Sequence, residues 1–193
     1  MPSMAQKATL ADAAELLWDV LPPGHRVEVL QGRLTARPHA DGSHALSLTE
    51  LGRAFERAGI RGSGLEWIQA LGIWLASGPD DYAVPDFAVV DKGFLGAVVE
   101  KNCHAPHVFR LVLEVTCVDW ADALGPKAEC YAQSGVPVYV VVDRKHDEVL
   151  LFSEPVDGVY PEPVRFKRGQ TFRVPESVGV SPELSVNTLL DGD

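Results

Sequence analysis

Apolar residues recur at helical spacing near the start of the chain. Residues 9–21 (TLADAAELLWDVL) predict a helix, and Thr9 is the type of residue that caps a helix N-terminus. Leu16, Leu17 and Val20 form an apolar stripe, which is expected to face the core. Pro and Gly residues follow at once and predict the end of this helix.

A β-hairpin is predicted next. The stretches HRVEVL and RLTARP flank Gln31 and Gly32, and the glycine can adopt the positive φ that a tight turn requires. Glu28 alternates with two valines, so it lies on the face opposite them. Two interpretations of Glu28 are open at this point: a solvated residue at a sheet edge, or a member of a functional site.

The remaining pattern predicts one more long helix and several strands. Apolar residues in the range 41–59 recur at helical spacing. His44 lies in the first turn of this predicted helix, and its ordinary interpretation is a structural or exposed histidine. Residues 65–77 contain one or two strands, and residues 91–108 a short helix before a loop. After the EVLLFSE strand, which starts at residue 148, we expect a series of short strands separated by Pro and Gly.

Three strongly apolar segments form the predicted centre of the fold, and in chain order they read PDFAVV, FRLVLEVTCV and VPVYVVVD. The first two each contain one carboxylate, Asp86 and Glu114, which is costly to bury unless it is paired or binds a cation. Alternation places Glu114 on the face opposite Leu113 and Val115. If these strands are neighbours, both carboxylates point into one cleft.

A helix is predicted between the second and third of these strands. It is expected to begin near Gly125 and Pro126, because proline is favoured at the first helical position, and to stop at Gly135. Lys127 then lies in its first turn, with Tyr131 four residues later on the same face.

These residues define the candidate chemistry. Carboxylate oxygens such as those of Asp86 and Glu114 suit Mg²⁺ or Mn²⁺ rather than zinc. The Lys127 ammonium is expected to orient an attacking water or to stabilise charge in a transition state. Each residue also has a structural interpretation, a turn cap for Asp86 and an ion pair for the other two. Their combination on two strands and a helix favours a function.

Length, composition and charge limit the class of protein. The chain has 193 residues, 46% of them apolar, and we expect one domain over residues 1–193. No run of residues is long enough for a membrane span, and the N-terminus lacks an export-signal pattern, so a cytoplasmic location is expected. The formal charge of −10 argues against a broad basic surface for nucleic acid. Bound divalent cations would offset this acidity at a nuclease site.

The cysteine pattern is that of reduced thiols. Cys103, Cys117 and Cys130 are odd in number and lack zinc-motif spacing. Cys103, His104 and His107 are residue types that bind zinc, but their spacing matches no common ligand pattern. A surface loop is the expected structure there.

The chain resembles the Uma2 family, also called DUF820, of the PD-(D/E)xK nuclease superfamily. The resemblance covers nearly the whole chain and is carried by RVEVLQGRL, by His44, by VPDFAVV and by LVLEVTCVDWADALGPKAECYAQSGVPVYVVVD. Its most specific part is the pattern KxxxYAxxGVPxYxxVD, from Lys127 to Asp143. The resemblance implies an α/β fold with a mixed central sheet, a restriction endonuclease-like core with flanking helices and, in this chain, extra C-terminal β-strands.

The resemblance also implies roles for single residues. Asp86 and Glu114 match metal-binding acids, and Lys127 matches the lysine of the following helix, so these three are the implied catalytic residues. Glu28 matches a glutamate that adds a metal ligand or contacts a metal-bound water. The implied reaction is hydrolysis of phosphodiester bonds in DNA with Mg²⁺ or Mn²⁺. Two copies of the chain are expected to pair as a homodimer.

Two departures from the family pattern keep other functions open. Thr116 stands where the superfamily has lysine, and Cys117–Trp120 replaces a turn of different composition. One alternative is therefore a catalytically inactive binding or assembly module that keeps the nuclease fold. The other is a hydrolase of a small phosphorylated or nucleotide substrate, although the chain has no glycine-rich phosphate loop.

Overall fold

The structure is a computed structural model and describes residues 8–37, 41–116 and 120–192. Its strands are β1 (Arg26–Leu30), β2 (Arg33–Arg37), β3 (Leu65–Gln69), β4 (Gly72–Trp74), β5 (Tyr82–Ala83), β6 (Phe87–Asp91), β7 (Val98–Glu100), β8 (Cys103–His104), β9 (Phe109–Thr116), β10 (Val138–Asp143), β11 (Glu148–Ser153), β12 (Val164–Lys167), β13 (Thr171–Arg173) and β14 (Glu183–Ser185). Its helices are α1 (Leu10–Val20), α2 (Gly42–Arg57), α3 (Trp120–Asp122), α4 (Ala128–Gln133) and α5 (Val186–Asp191). A π-helical segment (Ala123–Lys127) joins α3 to α4, and 3₁₀ turns lie at Phe94–Ala97, Pro106–Val108 and Glu176–Val178.

Two six-stranded sheets form the framework. Sheet A has the order β2-β1-β5-β4-β8-β7, and sheet B has the order β12-β11-β10-β9-β6-β3. Both are mixed, because β4 and β8 are parallel in sheet A and β9 and β10 are parallel in sheet B, whereas the other neighbours are antiparallel. β13 and β14 form a separate two-stranded ribbon. The predicted mixed α/β fold with extra C-terminal strands is confirmed.

The interior strand β9 separates two hydrophobic clusters. Leu111, Leu113 and Val115 pack in the cluster that α2 and α5 cover. Val112 packs in the cluster on the other side, which includes Tyr131 of α4. A strand buried on both faces shows this arrangement. Glu114 therefore turns, with Val112, toward the helix that follows β9.

The predicted hairpin is confirmed as β1 and β2. Gln31 and Gly32 both have positive φ, 49° and 70°, in the two-residue turn. Their N–H groups donate to the buried carboxylate of Asp81 at 2.8 and 3.0 Å. This carboxylate, from the loop before β5, fixes the hairpin turn beside β5.

The first predicted helix is confirmed as α1, with Thr9 as its cap, but of its expected apolar stripe only Leu17 packs against the core. Leu16 and Val20 are 70% and 76% exposed. The buried residues of α1 are Ala11 and Ala14, whose small side chains allow the helix to lie close to β1. The stripe is wrong at two positions because the packing surface selects the helix face, and here it selects the side with the alanines and Leu17.

The helix after β9 begins earlier than predicted. In the described residues it starts at Trp120, and Pro126 lies inside it, within the π-helical segment. The wider π turn accommodates a proline that lacks an N–H donor. Lys127 consequently lies in the middle of this helical run rather than in the first turn of a helix starting at Gly125. The predicted stop at Gly135 is confirmed, since this glycine has a φ of 73° directly after α4.

The expected surface loop around residue 104 is also wrong. Cys103 and His104 form β8 and are buried, and the His104 ring lies against Phe94 with centroids 5.3 Å apart. His107 is exposed. Pairing of β8 with both β4 and β7 buries this segment.

The C-terminal part completes the core. Phe172 and Leu184, on β13 and β14, lie in the cluster beneath α2. α5 follows, capped by Ser185, and this short helix was not predicted. Among the described residues, no helix has both the length and the apolar character needed to cross a membrane.

Candidate active site

Asp86 lies in a bend directly before β6, at the edge of the ladder with β9. The last antiparallel pair of that ladder is Phe87 with Leu113, so the same register brings Asp86 opposite Glu114. The N–H of Val115 donates to Asp86 Oδ2 at 2.8 Å. The two acids are 28 residues apart in the chain, and strand pairing makes them neighbours.

Glu114 is held by the helix that follows its own strand. Lys127 Nζ lies 2.6 Å from Glu114 Oε1, and the Tyr131 hydroxyl donates to the same oxygen at 3.0 Å. The predicted shared face of Lys127 and Tyr131 is therefore confirmed. Both side chains are fully buried, so Glu114 is oriented by two donors that solvent does not reach.

Glu28 lies on β1 of the hairpin and contacts the same Lys127 ammonium group. Its Oε1 lies 2.9 Å from Lys127 Nζ and accepts the N–H of Val84 at 2.8 Å. Glu28 has no exposed surface, so its interpretation as a solvated edge residue is wrong. One buried lysine thus bridges two buried glutamates, Glu28 and Glu114, from different sheets.

Two arginines of the hairpin were missed by the sequence analysis. Arg26 and Arg37 are opposite one another in the β1–β2 register. Arg26 pairs with Asp86, while Arg37 lies 3.5 Å from a carboxylate oxygen of both Glu28 and Glu114. A signal was present, because Arg26 stands two residues before Glu28 and therefore on its face.

His44 also reaches the site, from the first turn of α2. Its Nε2 lies 3.3 Å from Asp86 Oδ1, and the residue is 8% exposed. The interpretation as an exposed histidine is therefore wrong. The Asp41 carboxylate accepts the His44 N–H at 2.7 Å and fixes this end of α2 beside Asp86.

The two central acids differ in their electrostatics. Burial alone would raise the pKa of Asp86, but the adjacent His44 ring and the charge of Arg26 outweigh it and lower the pKa to about 2. Burial raises the pKa of Glu114 in spite of the charge of Lys127, and the negative charge of Asp86 adds to the rise. An additional cation would therefore stabilise the ionised form of Glu114 more than that of Asp86.

The donor set fits a hard divalent cation, although it is not preassembled for one. No three His, Cys, Asp or Glu side chains in the described ranges are grouped as metal ligands, because cationic side chains pair with the acids. Glu28 Oε2 is nevertheless buried without a hydrogen-bond partner. Carboxylate oxygens are the ligands that Mg²⁺ and Mn²⁺ prefer. Asp86, Glu114 and Glu28 are the residues that would hold such an ion.

Cys103, His104 and His107 likewise form no group of metal ligands, within the residues that the structure describes. Cys103 and Cys130 are free, buried thiols, as expected for a reduced protein. Cys117 and the rest of the unusual turn before Trp120 lie outside the described residues.

Comparison with known proteins gives the class and then the family. The fold is similar to a crystal structure described as "a putative nuclease belonging to DUF820" from Anabaena variabilis, with a TM-score of 0.66 at 15% identity, over 92% of this chain and 96% of that one. Residues 12–187 match the model of the Uma2 family, described as "Putative restriction endonuclease". The chain therefore belongs to the Uma2 family. No curated protein matches it.

Proposed function

We propose that the chain is a DNA endonuclease that depends on Mg²⁺ or Mn²⁺ and hydrolyses phosphodiester bonds. The observation that carries the proposal is the buried ammonium of Lys127, which contacts Glu28 and Glu114 beside Asp86. Burying so many charges is costly and a hydrophobic core of equal volume would serve stability as well or better. A catalytic role for Asp86, Glu114 and Lys127 accounts for that cost.

The side chains have separate tasks in this proposal. Asp86, Glu114 and Glu28 would hold the ion, and Tyr131 would keep the Glu114 carboxylate in place. A divalent ion, when bound, supplies Lewis acidity that lowers the pKa of water and neutralises the charge of a phosphate. Lys127 has three N–H donors, and in the described part of the chain two are used by glutamates. In this proposal, the third would orient the attacking water.

A second function is supported by a different observation. The acids are already paired with cations, and no metal-ligand group is preformed among the described residues. A catalytically inactive module that binds or assembles through the same fold would have this arrangement. Calorimetric titration with Mn²⁺ separates the two functions, because an inactive module binds no ion at this site.

The first test is cleavage of supercoiled DNA by the purified protein in Mg²⁺ or Mn²⁺. Asp86→Ala and Glu114→Ala are expected to abolish cleavage, and a metal chelator to abolish that of the wild type. Asp91→Asn is the matched control, because Asp91 lies at the other end of β6 and pairs with Arg110 on the surface. This control is expected to cleave like the wild type.

Equal cleavage by all of these proteins would identify a contaminant and remove the proposal. A screen of nucleotides and small phosphate esters under the same conditions addresses the alternative of a small-substrate hydrolase. Turnover of such a compound without DNA cleavage would replace DNA as the substrate. The expected homodimer stays a prediction, and light scattering of the same preparation measures it.

A further inference from the structure

The mouth of the candidate site is lined by arginine. Glu28, Glu114 and Lys127 have side chains that are at most 1% exposed. The side chains of Arg26 and Arg37 are 26% and 17% exposed, so they stand between the buried centre and solvent. Among the described residues of the site, these guanidinium groups are therefore the permanent cations that solvent reaches.

The acids of the site already have cationic partners. Among the described residues, the carboxylates of Asp86, Glu28 and Glu114 face the permanent cations Arg26, Arg37 and Lys127. A divalent ion would add two positive charges where the surroundings screen charge poorly. Its entry therefore favours either departure of a cation from the carboxylates or arrival of an anion.

The exposure of the cations decides which of them can move. Lys127 is enclosed on all sides and is joined to its glutamates at 2.6 and 2.9 Å. Arg37 lies 3.5 Å from a carboxylate oxygen of Glu28 and of Glu114, and the side chains of both arginines are partly solvated. A guanidinium released from a carboxylate is well shaped to bind two oxygens of a phosphate.

We propose that Arg26 and Arg37 bind the phosphate of the substrate, and that before an ion is present they serve as internal counter-ions of the metal-binding carboxylates. The inference rests on the proposed function, because it takes the three acids as metal ligands. It explains how a chain of formal charge −10 receives a polyanion, since two of its cationic side chains lie at the entrance of the site. It also predicts that metal and phosphate strengthen each other's binding.

The test measures two affinities of the same variants. Mn²⁺ binding is followed by calorimetry without DNA, and binding of a short DNA duplex by fluorescence anisotropy in Ca²⁺. Arg26→Gln and Arg37→Gln are expected to bind Mn²⁺ more tightly, by roughly three- to tenfold, because one competing positive charge is removed from a partly exposed site. The same variants are expected to bind the duplex several-fold more weakly.

Arg110→Gln is the matched control, because Arg110 forms a comparable pair with Asp91 away from the site. It is expected to leave both affinities at the wild-type value. Arg26→Lys and Arg37→Lys keep the positive charge, so they are expected to bind Mn²⁺ like the wild type but the duplex less well. If a glutamine variant does not fold, the Mn²⁺ and duplex affinities of these lysine variants provide the test.

The opposite direction of the two shifts is the decisive result. Weaker binding of both Mn²⁺ and DNA, or no change in either, would overturn the role of the arginines and give them a purely structural one. A wild-type protein that binds no Mn²⁺ and cleaves no DNA would overturn the proposed function together with this inference. Metal binding and cleavage without the opposite shifts would overturn the inference alone.

Discussion

Replacing Lys127 with methionine removes the charge that two buried carboxylates share while keeping a side chain of similar length. Lys127 and Glu28 have no exposed surface, and Glu114 is 1% exposed. Removing one partner of a buried ion pair typically costs about 3–5 kcal/mol, because the remaining charge has no counter-ion. This is a large share of the roughly 5–15 kcal/mol by which a folded domain is stable.

The cost is expected to appear in the free energy of unfolding, measured by urea denaturation with circular dichroism. With a slope of roughly 2 kcal/mol per molar urea, Lys127→Met should lower the midpoint by about 2 M. Arg61→Met is the matched control, since Arg61 pairs with Glu56 but is 86% exposed. An exposed pair contributes about 0–1 kcal/mol, so the control should unfold close to the wild type.

Two further measurements identify the cause as uncompensated charge. Lys127→Met with Glu114→Gln should be more stable than Lys127→Met alone, because one buried negative charge is gone. Burial already raises the pKa of Glu114, so in Lys127→Met this carboxyl takes up a proton more readily. The destabilisation should therefore shrink as pH falls from 8 to about 5. A cost near that of the exposed control, or one independent of pH, would refute the reasoning.

The remaining predictions concern the packing around the site, and each is measured as the free energy of unfolding in urea. Tyr131→Phe removes a buried hydroxyl that donates to Glu114 and should cost about 1 kcal/mol; no loss would show that this bond does not contribute. Asp41→Ala removes the cap of α2 and should cost about 1 kcal/mol at neutral pH. The hydrogen bond from the His44 N–H lowers the pKa of Asp41 in the folded protein. The stability difference between wild type and Asp41→Ala should therefore persist above the ordinary pKa of Asp41 and fade as pH falls through its lowered pKa. A stability difference that does not change with pH would contradict this role of the Asp41 carboxylate. Gly52→Ala should destabilise by about 1–3 kcal/mol, since its Cβ would lie 2.8 Å from a tryptophan ring of β3, whereas Gly42→Ala in the same helix meets no atom within 4 Å and should be nearly neutral.

Much of the fold follows from local patterns. The alternation from Leu111 to Val115 correctly separates the residues that pack under α2 from those that face Lys127. The turn at Gln31 and Gly32 is likewise determined by residues that are adjacent in the sequence. In contrast, the exposed leucine at position 16 shows that periodicity identifies a helix without deciding which face is buried.

The candidate site depends on contacts that local sequence patterns do not predict. Asp86, Glu114 and Lys127 stand out in the sequence because charged residues interrupt apolar segments. Arg26 does not, since an arginine at the start of a hairpin strand is an ordinary surface residue. Only the folded arrangement, in which β1 pairs with β5, places it against Asp86, which is 60 residues further along the chain.

The amino-acid sequence by itself determined the type of most elements and the identity of the acids and the lysine, because spacing and polarity act over a few neighbouring residues. The tertiary structure alone decided which charges meet. Lys127 contacts Glu28 across 99 residues of chain, and strand order and helix packing create that contact. The balance of charge in a buried site is a property of the folded chain, since it depends on every ionised group that folding brings within a few ångströms.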